Sequence, residues 1–226
     1  MPNKVIEFQE EKLLAAGKTP GWNLGADGHL IGNSKLGSHV ARVMWVNEKD
    51  EPLYDQIVRI ERGGAVFLPV DARNRIGLQK NWRPQTRDQE KFAKEYPRVD
   101  WSEVGRESWE LLGGFSNAEE SALKTAARET QEESGSQVVS IEDLGPICDN
   151  RAFSVHLGRM TWGRIDPTKK PADRPDPYEK KLSAVRFFTL AELRSLLEED
   201  KLYDSFTLSA LGALFLRHPE LVAARS

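Results

Sequence analysis

Cysteine occurs once in the 226 residues, at Cys148, which excludes an internal disulfide and fits a reducing compartment. Histidine is also scarce, with four in the chain. His29 and His39 have no cysteine or histidine at ligand spacing and read as surface residues, while His156 falls in a strand pattern as a packed or hydrogen-bonded side chain. No apolar run approaches the ~18 residues of a membrane span. The chain opens Met1-Pro2-Asn3-Lys4 and runs into a charged segment, where a secretory signal would place apolar residues. Neither sign of charge dominates: a formal net charge of -3 leaves no basic footprint for a nucleic-acid polymer. The expectation is a cytoplasmic protein with no membrane segment and no nucleic-acid partner.

What is present fits one substantial core with an appended subdomain. The chain is long enough for that, and 39% hydrophobic with 30% charged residues reads as globular. Residues 4–16 carry helical periodicity, and 17–35 are rich in glycine and polar residues, an arm or loop. Alternation then predicts antiparallel strands over 41–46 and 53–61, a turn at Arg62-Gly63-Gly64, a buried strand over 65–70 and another at 75–79. Residues 137–144 and 153–165 read as further strands, and 166–178, with four prolines, as a loop. A strand at 182–188 precedes a helix through Glu198, started by a capping box of Thr189 and Glu192. A last helix is capped by Asp204 or Ser205 and runs to about Leu216.

The densest chemistry lies in residues 114–136, GFSNAEESALKTAARETQEESGS. Asn117 with Glu120 reads as a capping box, Glu119 and Glu120 suit the positive end of a helix, and Gly135 supplies a stop. Ala118, Ala122, Leu123, Ala126 and Ala127 form an apolar stripe slim enough to lie close on a sheet. At 3.6 residues per turn, Glu129, Glu132 and Glu133 converge on one small volume. Like charges so placed cost an isolated helix roughly 0.2–0.5 kcal/mol per pair. Two readings follow: a solvated acidic face, or a site for a hard cation such as Mg²⁺ or Mn²⁺, which carboxylate oxygens suit. Spacing alone leaves both open.

Written with its intervals, the segment is Gly114, five residues, Glu120, seven residues, then Arg128-Glu129-Thr130-Gln131-Glu132-Glu133-Ser134-Gly135-Ser136. It resembles the Nudix box, G-x5-E-x7-R-E-U-x-E-E-x-G-U, at every charged and glycine position. The two U positions, aliphatic in the pattern, are Thr130 and Ser136 here. The order strand, turn, strand, Trp82-Arg83-Pro84, then Trp109-Glu110-Leu111 and a glycine pair, resembles the ADP-ribose and nucleoside-diphosphate-sugar pyrophosphatases of that superfamily. The likeness covers roughly 54–216; the first fifty residues lie outside it.

The resemblance implies an α/β/α sandwich with a mixed sheet. Residues 63–226 would form the hydrolase domain, and 1–62 an arm with antiparallel strands that serves dimerisation in a homodimer. It implies metal-dependent hydrolysis of the diphosphate in ADP-ribose or a nucleotide sugar, giving a nucleoside monophosphate and a sugar phosphate. Other nucleoside diphosphate derivatives (a dinucleoside polyphosphate, NADH or coenzyme A) and a non-catalytic nucleotide-binding regulator are the alternatives. Glu129, Glu132 and Glu133, with the Gly113 carbonyl, would bind Mg²⁺, or Mn²⁺, and Arg128 would orient a box carboxylate by pairing with Glu120. Arg83 and Glu110 would contact the small-molecule nucleotide, Arg83 through the planar fork that pairs with phosphate. Trp82 is either a base platform or core. Glu179 is the expected general base or further ligand, with Asp176 second. Residues 85–108, longer than in such relatives, read either as a specificity lid or as decoration of an edge. Cys148-Asp149-Asn150-Arg151 departs from the proline- and glycine-containing loop of ADP-ribose-specific relatives.

Overall fold

Lys4–Glu7 (β1), Glu10–Ala15 (α1), Leu30–Asn33 (β2), His39–Val46 (β3) and Pro52–Ile60 (β4) build the first of two compact units, formed by residues 1–63 together with 148–157. The computed structural model describes residues 4–20, 30–33, 39–82, 107–150, 157–166 and 184–223, with the short pieces 93–94, 97–98 and 153–154. The helix expected over 4–16 is a strand followed by a short helix, because β1 pairs antiparallel with β3, from Lys4 opposite Val46 to Glu7 opposite Val43. Tertiary pairing outweighs helical periodicity there. β2 takes the remaining length of the same edge of β3, and β4 runs along the other edge. Phe8, Leu13, Met44 and Val46 form the small core. Within it Arg42, 1% exposed, bonds Asp55 through Nε and Nη2 at 2.7 Å and lies 3.7 Å over the Phe8 ring. Phe153 and Ser154, expected as strand, belong to this unit instead: the Arg59 N–H donates to the Phe153 carbonyl, and Arg59 also pairs with Asp149.

The second unit, residues 64–147 and 158–226, holds an eight-stranded mixed sheet. Its described elements are Gly64–Val70 (β5), Ile76–Trp82 (β6), Glu107–Glu110 (β7), Leu112–Phe115 (β8), Ala122–Ser134 (α2), Gln137–Val138 (β9), Glu142–Ile147 (β10), Gly158–Asp166 (β11), Arg186–Phe188 (β12), Leu190–Glu198 (α3), Ser205–Arg217 (α4) and Glu220–Ala223 (α5). β10, β11, β5, β6 and β12 lie side by side, with β11 and β5 parallel and the other pairs antiparallel. β5 shows why the sheet needs cover on both faces. Ala65 and Phe67 join a core with Leu112 and Ala126 of α2, whereas Leu68 and Val70 join a larger one with Leu193 of α3 and Ala210, Leu211 and Leu214 of α4. The period of two in the strand thus sorts the helices to opposite faces, and the expected α/β/α sandwich is observed.

Residues 107–115 place the site. β5 and β6 are paired at Val70 and Ile76; beyond that pair β7 lies against β6 and β8 against β5. The 107–115 segment is therefore wedged between them, setting Glu110 opposite Gln79 and Gly113 opposite Val66. The expected 137–144 strand is broken into β9 and β10 because Val139 and Ser140 turn onto the Arg164 carbonyl. Thr189 and Glu192 form the expected capping box, and Asp204 caps α4 by accepting from the Thr207 N–H at 2.8 Å. Among the described residues no helix is long and apolar enough to cross a membrane.

Candidate active site

Helix α2 begins later than its sequence suggests. Ser121, not Asn117, is the N-cap, accepting from the Lys124 N–H at 3.4 Å. Asn117 and Glu120 instead close a turn ahead of the helix: the Asn117 N–H donates to Glu120 Oε2 at 2.9 Å, and the Glu120 N–H donates to the Asn117 carbonyl. This turn aims the Glu120 carboxylate at Arg128. The far end is as expected, with Gly135 in the left-handed region at φ 76° and its N–H on the Gln131 carbonyl.

Arg128 organises the carboxylates. Nε and Nη2 bond Glu120 at 3.1 and 3.0 Å, Nη2 also bonds the Phe115 carbonyl at 2.9 Å, and Nη1 reaches Glu129 Oε1 and Glu132 Oε2, each at 2.8 Å. One guanidinium thus ties the turn, the end of β8 and two helix carboxylates together, which its fixed fork can do and a lysine cannot. Its bonds to Glu120 hold that carboxyl at about 2, and the same bonds raise Arg128 above its ordinary value. Glu133 turns the other way and accepts from the Gly113 N–H at 2.9 Å.

The glycine pair makes room for this. A Cβ at Gly114 would lie 2.5 Å from Cδ and Oε1 of Glu129, so the Glu129 carboxylate occupies space that a side chain would fill. A Cβ at Gly113 would meet the Ala65 carbonyl at 2.4 Å. Glu129 and Glu133 are each 8% exposed. Burial holds the Glu129 carboxyl above its ordinary value even though the Arg128 guanidinium pulls it down.

The three helix glutamates do not meet at a single point. Glu129 and Glu132 gather on Arg128 and Glu133 on Gly113, and among the described residues no three acidic, imidazole or thiol groups are already assembled as a ligand cluster. The residues nevertheless fit a hard dication. They are carboxylate oxygens, Arg128 takes one oxygen each of Glu129 and Glu132, and a buried carboxyl displaced upward is one that an added cation stabilises.

Glu110, on the same sheet face, is 6% exposed and accepts from Ser108 Oγ at Oε1 and from Asn81 Nδ2 at Oε2, 2.9 Å. Sequence reasoning missed both partners. Ser108 falls in the 85–108 segment, yet Glu107 and Ser108 are strand, opposite Trp82 and Asn81. The available signal was the polar alternation of Gln79 and Asn81 against Ile76 and Leu78. Also missed were Ser116 and fully buried Thr125, whose hydroxyls bond each other at 2.8 Å beneath Glu120. Trp82 closes β6, its backbone opposite Glu107. Arg83, Asp176, Glu179, His29 and His156 lie outside the described residues, as do residues 83–92, 99–106 and 167–183. Thr130 and Ser136, the polar U positions, are both buried. Thr130 Oγ1 donates to the Ala126 carbonyl at 2.6 Å, which satisfies its hydroxyl locally, and the Ser136 N–H donates to Ser134 Oγ at 3.0 Å.

The NUDIX domain family model matches residues 89–208, which contain α2 and the strands on either side of it. A solved structure described as "Crystal structure of ADP compounds hydrolase" superposes with a TM-score of 0.60 over 90% of this chain and 97% of that one. The two are 15% identical, so the likeness speaks to the fold. No curated protein matches the chain.

Proposed function

The chain belongs to the NUDIX domain family and is a Nudix hydrolase, and from that premise we propose that it cleaves the diphosphate of ADP-ribose or a nucleoside-diphosphate sugar to a nucleoside monophosphate and a sugar phosphate. Divalent metals serve this family generally; Mg²⁺, or Mn²⁺, is the cation of this reading. One observation carries it: Glu133 on the Gly113 N–H and Glu129 in the space left by Gly114 put two buried carboxylates of α2 against β8, the strand that follows Glu110 of β7 in the same 107–115 segment.

In this reading Glu129, Glu132 and Glu133, with the Gly113 carbonyl, hold the cation, and Arg128 fixes the first two by pairing. When a dication is bound there, charge on the diphosphate is offset and a water becomes easier to deprotonate. Glu110, held by Ser108 and Asn81, orients the part of the substrate beside the diphosphate. Arg83 pairs with phosphate, Trp82 borders the nucleotide, and Glu179 takes the proton of the attacking water. Water adds to one phosphorus, the bridging oxygen leaves with the other phosphate, and the proton ends on the carboxylate. The nucleotide is a small molecule, neither a nucleic-acid polymer nor membrane-bound, and the enzyme works as a cytoplasmic homodimer joined through residues 1–62. The name of the structural neighbour, an ADP compounds hydrolase, agrees with this substrate class.

The test is Mg²⁺- and Mn²⁺-dependent hydrolysis across ADP-ribose, GDP-mannose, UDP-glucose, NADH, coenzyme A and diadenosine polyphosphates, with products identified. Nucleoside monophosphate plus sugar phosphate from one of the first three is the expected result. Inorganic phosphate as the sole primary product would contradict it, and preference for the last three would move the substrate to another nucleoside diphosphate derivative. Light scattering on the purified protein tests the dimer.

A further inference from the structure

Gln79 lies within β6, where its neighbours Ile76 and Leu78 fill the larger core. Its own side chain shares the opposite face with Asn81, two residues on, and with Glu110, its partner across the ladder. It is 1% exposed, and Oε1 is enclosed with no hydrogen-bond partner among the described residues. A buried carbonyl left in that state costs stability, and native interiors rarely keep one. An apolar residue of the same shape would fill the space without that cost. The unpaired amide is thus a cost to the fold, beside a carboxylate that Ser108 and Asn81 hold in place.

We propose that Gln79 determines specificity, its amide accepting a hydrogen bond from a sugar hydroxyl of the diphosphate-linked substrate; this rests on the diphosphatase reading above. The chemistry of the row selects the ligand. Gln79 Oε1 and the Glu110 carboxylate are acceptors, so a phosphate, itself all acceptors and negative, is repelled there, whereas a neutral hydroxyl can donate. Position agrees with chemistry. Gly113, which bonds Glu133, is three residues from Glu110, roughly 10 Å of extended chain. A sugar joined to a diphosphate at the box extends over such a distance. Asn81 is half-buried where Gln79 is buried, so the row is less covered toward Asn81.

Gln79→Leu and the near-isosteric Gln79→Met test this by two separate readouts. The first needs no substrate: both variants should match or exceed the wild-type Tm, because an unmade hydrogen bond is removed. The second is steady-state kinetics with ADP-ribose, GDP-mannose and UDP-glucose and with the deoxy-sugar analogues of whichever is hydrolysed. KM should rise about tenfold or more with kcat within about threefold, and the rise should vanish on the analogue lacking the recognised hydroxyl. A lowered Tm in both variants would overturn the proposal by exposing a structural role. So would an unchanged KM on every compound that the wild type hydrolyses. A wild-type enzyme that hydrolyses none of the three would overturn the diphosphatase reading, and the sugar assignment with it, whereas unchanged KM in an active enzyme overturns only the role of Gln79.

Discussion

Gly114→Ala adds one methyl group to the point where β8 meets the Glu129 carboxylate. The new Cβ would stand 2.5 Å from Cδ and Oε1 and 2.7 Å from Oε2, while ordinary contact begins near 3.4 Å, so the carboxylate must retreat by about 0.9 Å. It cannot do so freely, because Oε1 is held at 2.8 Å by Arg128 Nη1, itself fixed by Glu120 and the Phe115 carbonyl. A displacement near 1 Å in a catalytic group can cost on the order of 10²-fold in rate. The fold should feel little. Gly114 is not among the residues with positive φ, and the loss of one partly exposed charged bond, about 1 kcal/mol, is offset by the about 0.4–1 kcal/mol that replacing glycine contributes through the unfolded chain. The assay is kcat/KM on the best substrate of the panel with Mg²⁺, beside a urea melt, for Gly114→Ala, Glu129→Gln and the double variant. Gly114→Ala should fall by about 10²-fold at near wild-type stability, and the double variant should lose little more than Glu129→Gln alone, since both changes act on one carboxylate. A Gly114→Ala enzyme within threefold of wild type would refute the placement of Glu129 in the site.

Three further outcomes follow from the same structure. Asp55→Ala leaves Arg42 charged in the core of the N-terminal unit and should cost about 3–5 kcal/mol in chemical denaturation; a loss under about 1 kcal/mol would show the pair to be dispensable. Thr130→Val removes a hydroxyl that bonds a helix carbonyl already serving the backbone, so stability should stay within about 1 kcal/mol of wild type, on the stabilising side, with kcat/KM unchanged. Glu120 carries its bonds to Arg128, and then to the Asn117 N–H, as a carboxyl at about 2, below the ordinary 4.5. A depressed folded value means stability that is complete above about 4.5 and lost as pH falls through about 2. The gap in urea midpoint between wild type and Glu120→Gln should therefore be constant above about pH 5 and shrink below it; a gap that widens on acidification would contradict the assignment.

Elements whose signals are local were legible in the chain. Thr189 with Glu192, Asp204 and Gly135 bound helices where the residue types say they should, because each cap is a bond between neighbours in sequence. Elements decided at a distance were not. β1 hides in a helical pattern because its partner is β3, and Phe153 and Ser154 leave the expected strand because Arg59 binds the Phe153 carbonyl. At the site, the box spacing identifies Arg128 and the glutamates, but their geometry depends on Arg128 gathering Glu129 and Glu132 while Glu133 takes the Gly113 N–H. Asn81 and Gln79 come to Glu110 only through the β6–β7 register, which composition and spacing do not encode, while Ser108 lies two residues before it on the same strand. Thr130 looks like a defect in a pattern and is ordinary in structure, since a hydroxyl in a helix can bond the carbonyl one turn back.

The most direct test of the account is the Mg²⁺-dependent turnover of Glu133→Gln against wild type on the compound that wild type hydrolyses best, with the Tm of both recorded. The account predicts a fall in kcat of about 10²-fold or more at an unchanged Tm, with wild-type turnover abolished by EDTA and restored by Mg²⁺. Equal turnover in the variant, or wild-type turnover indifferent to EDTA, would contradict it.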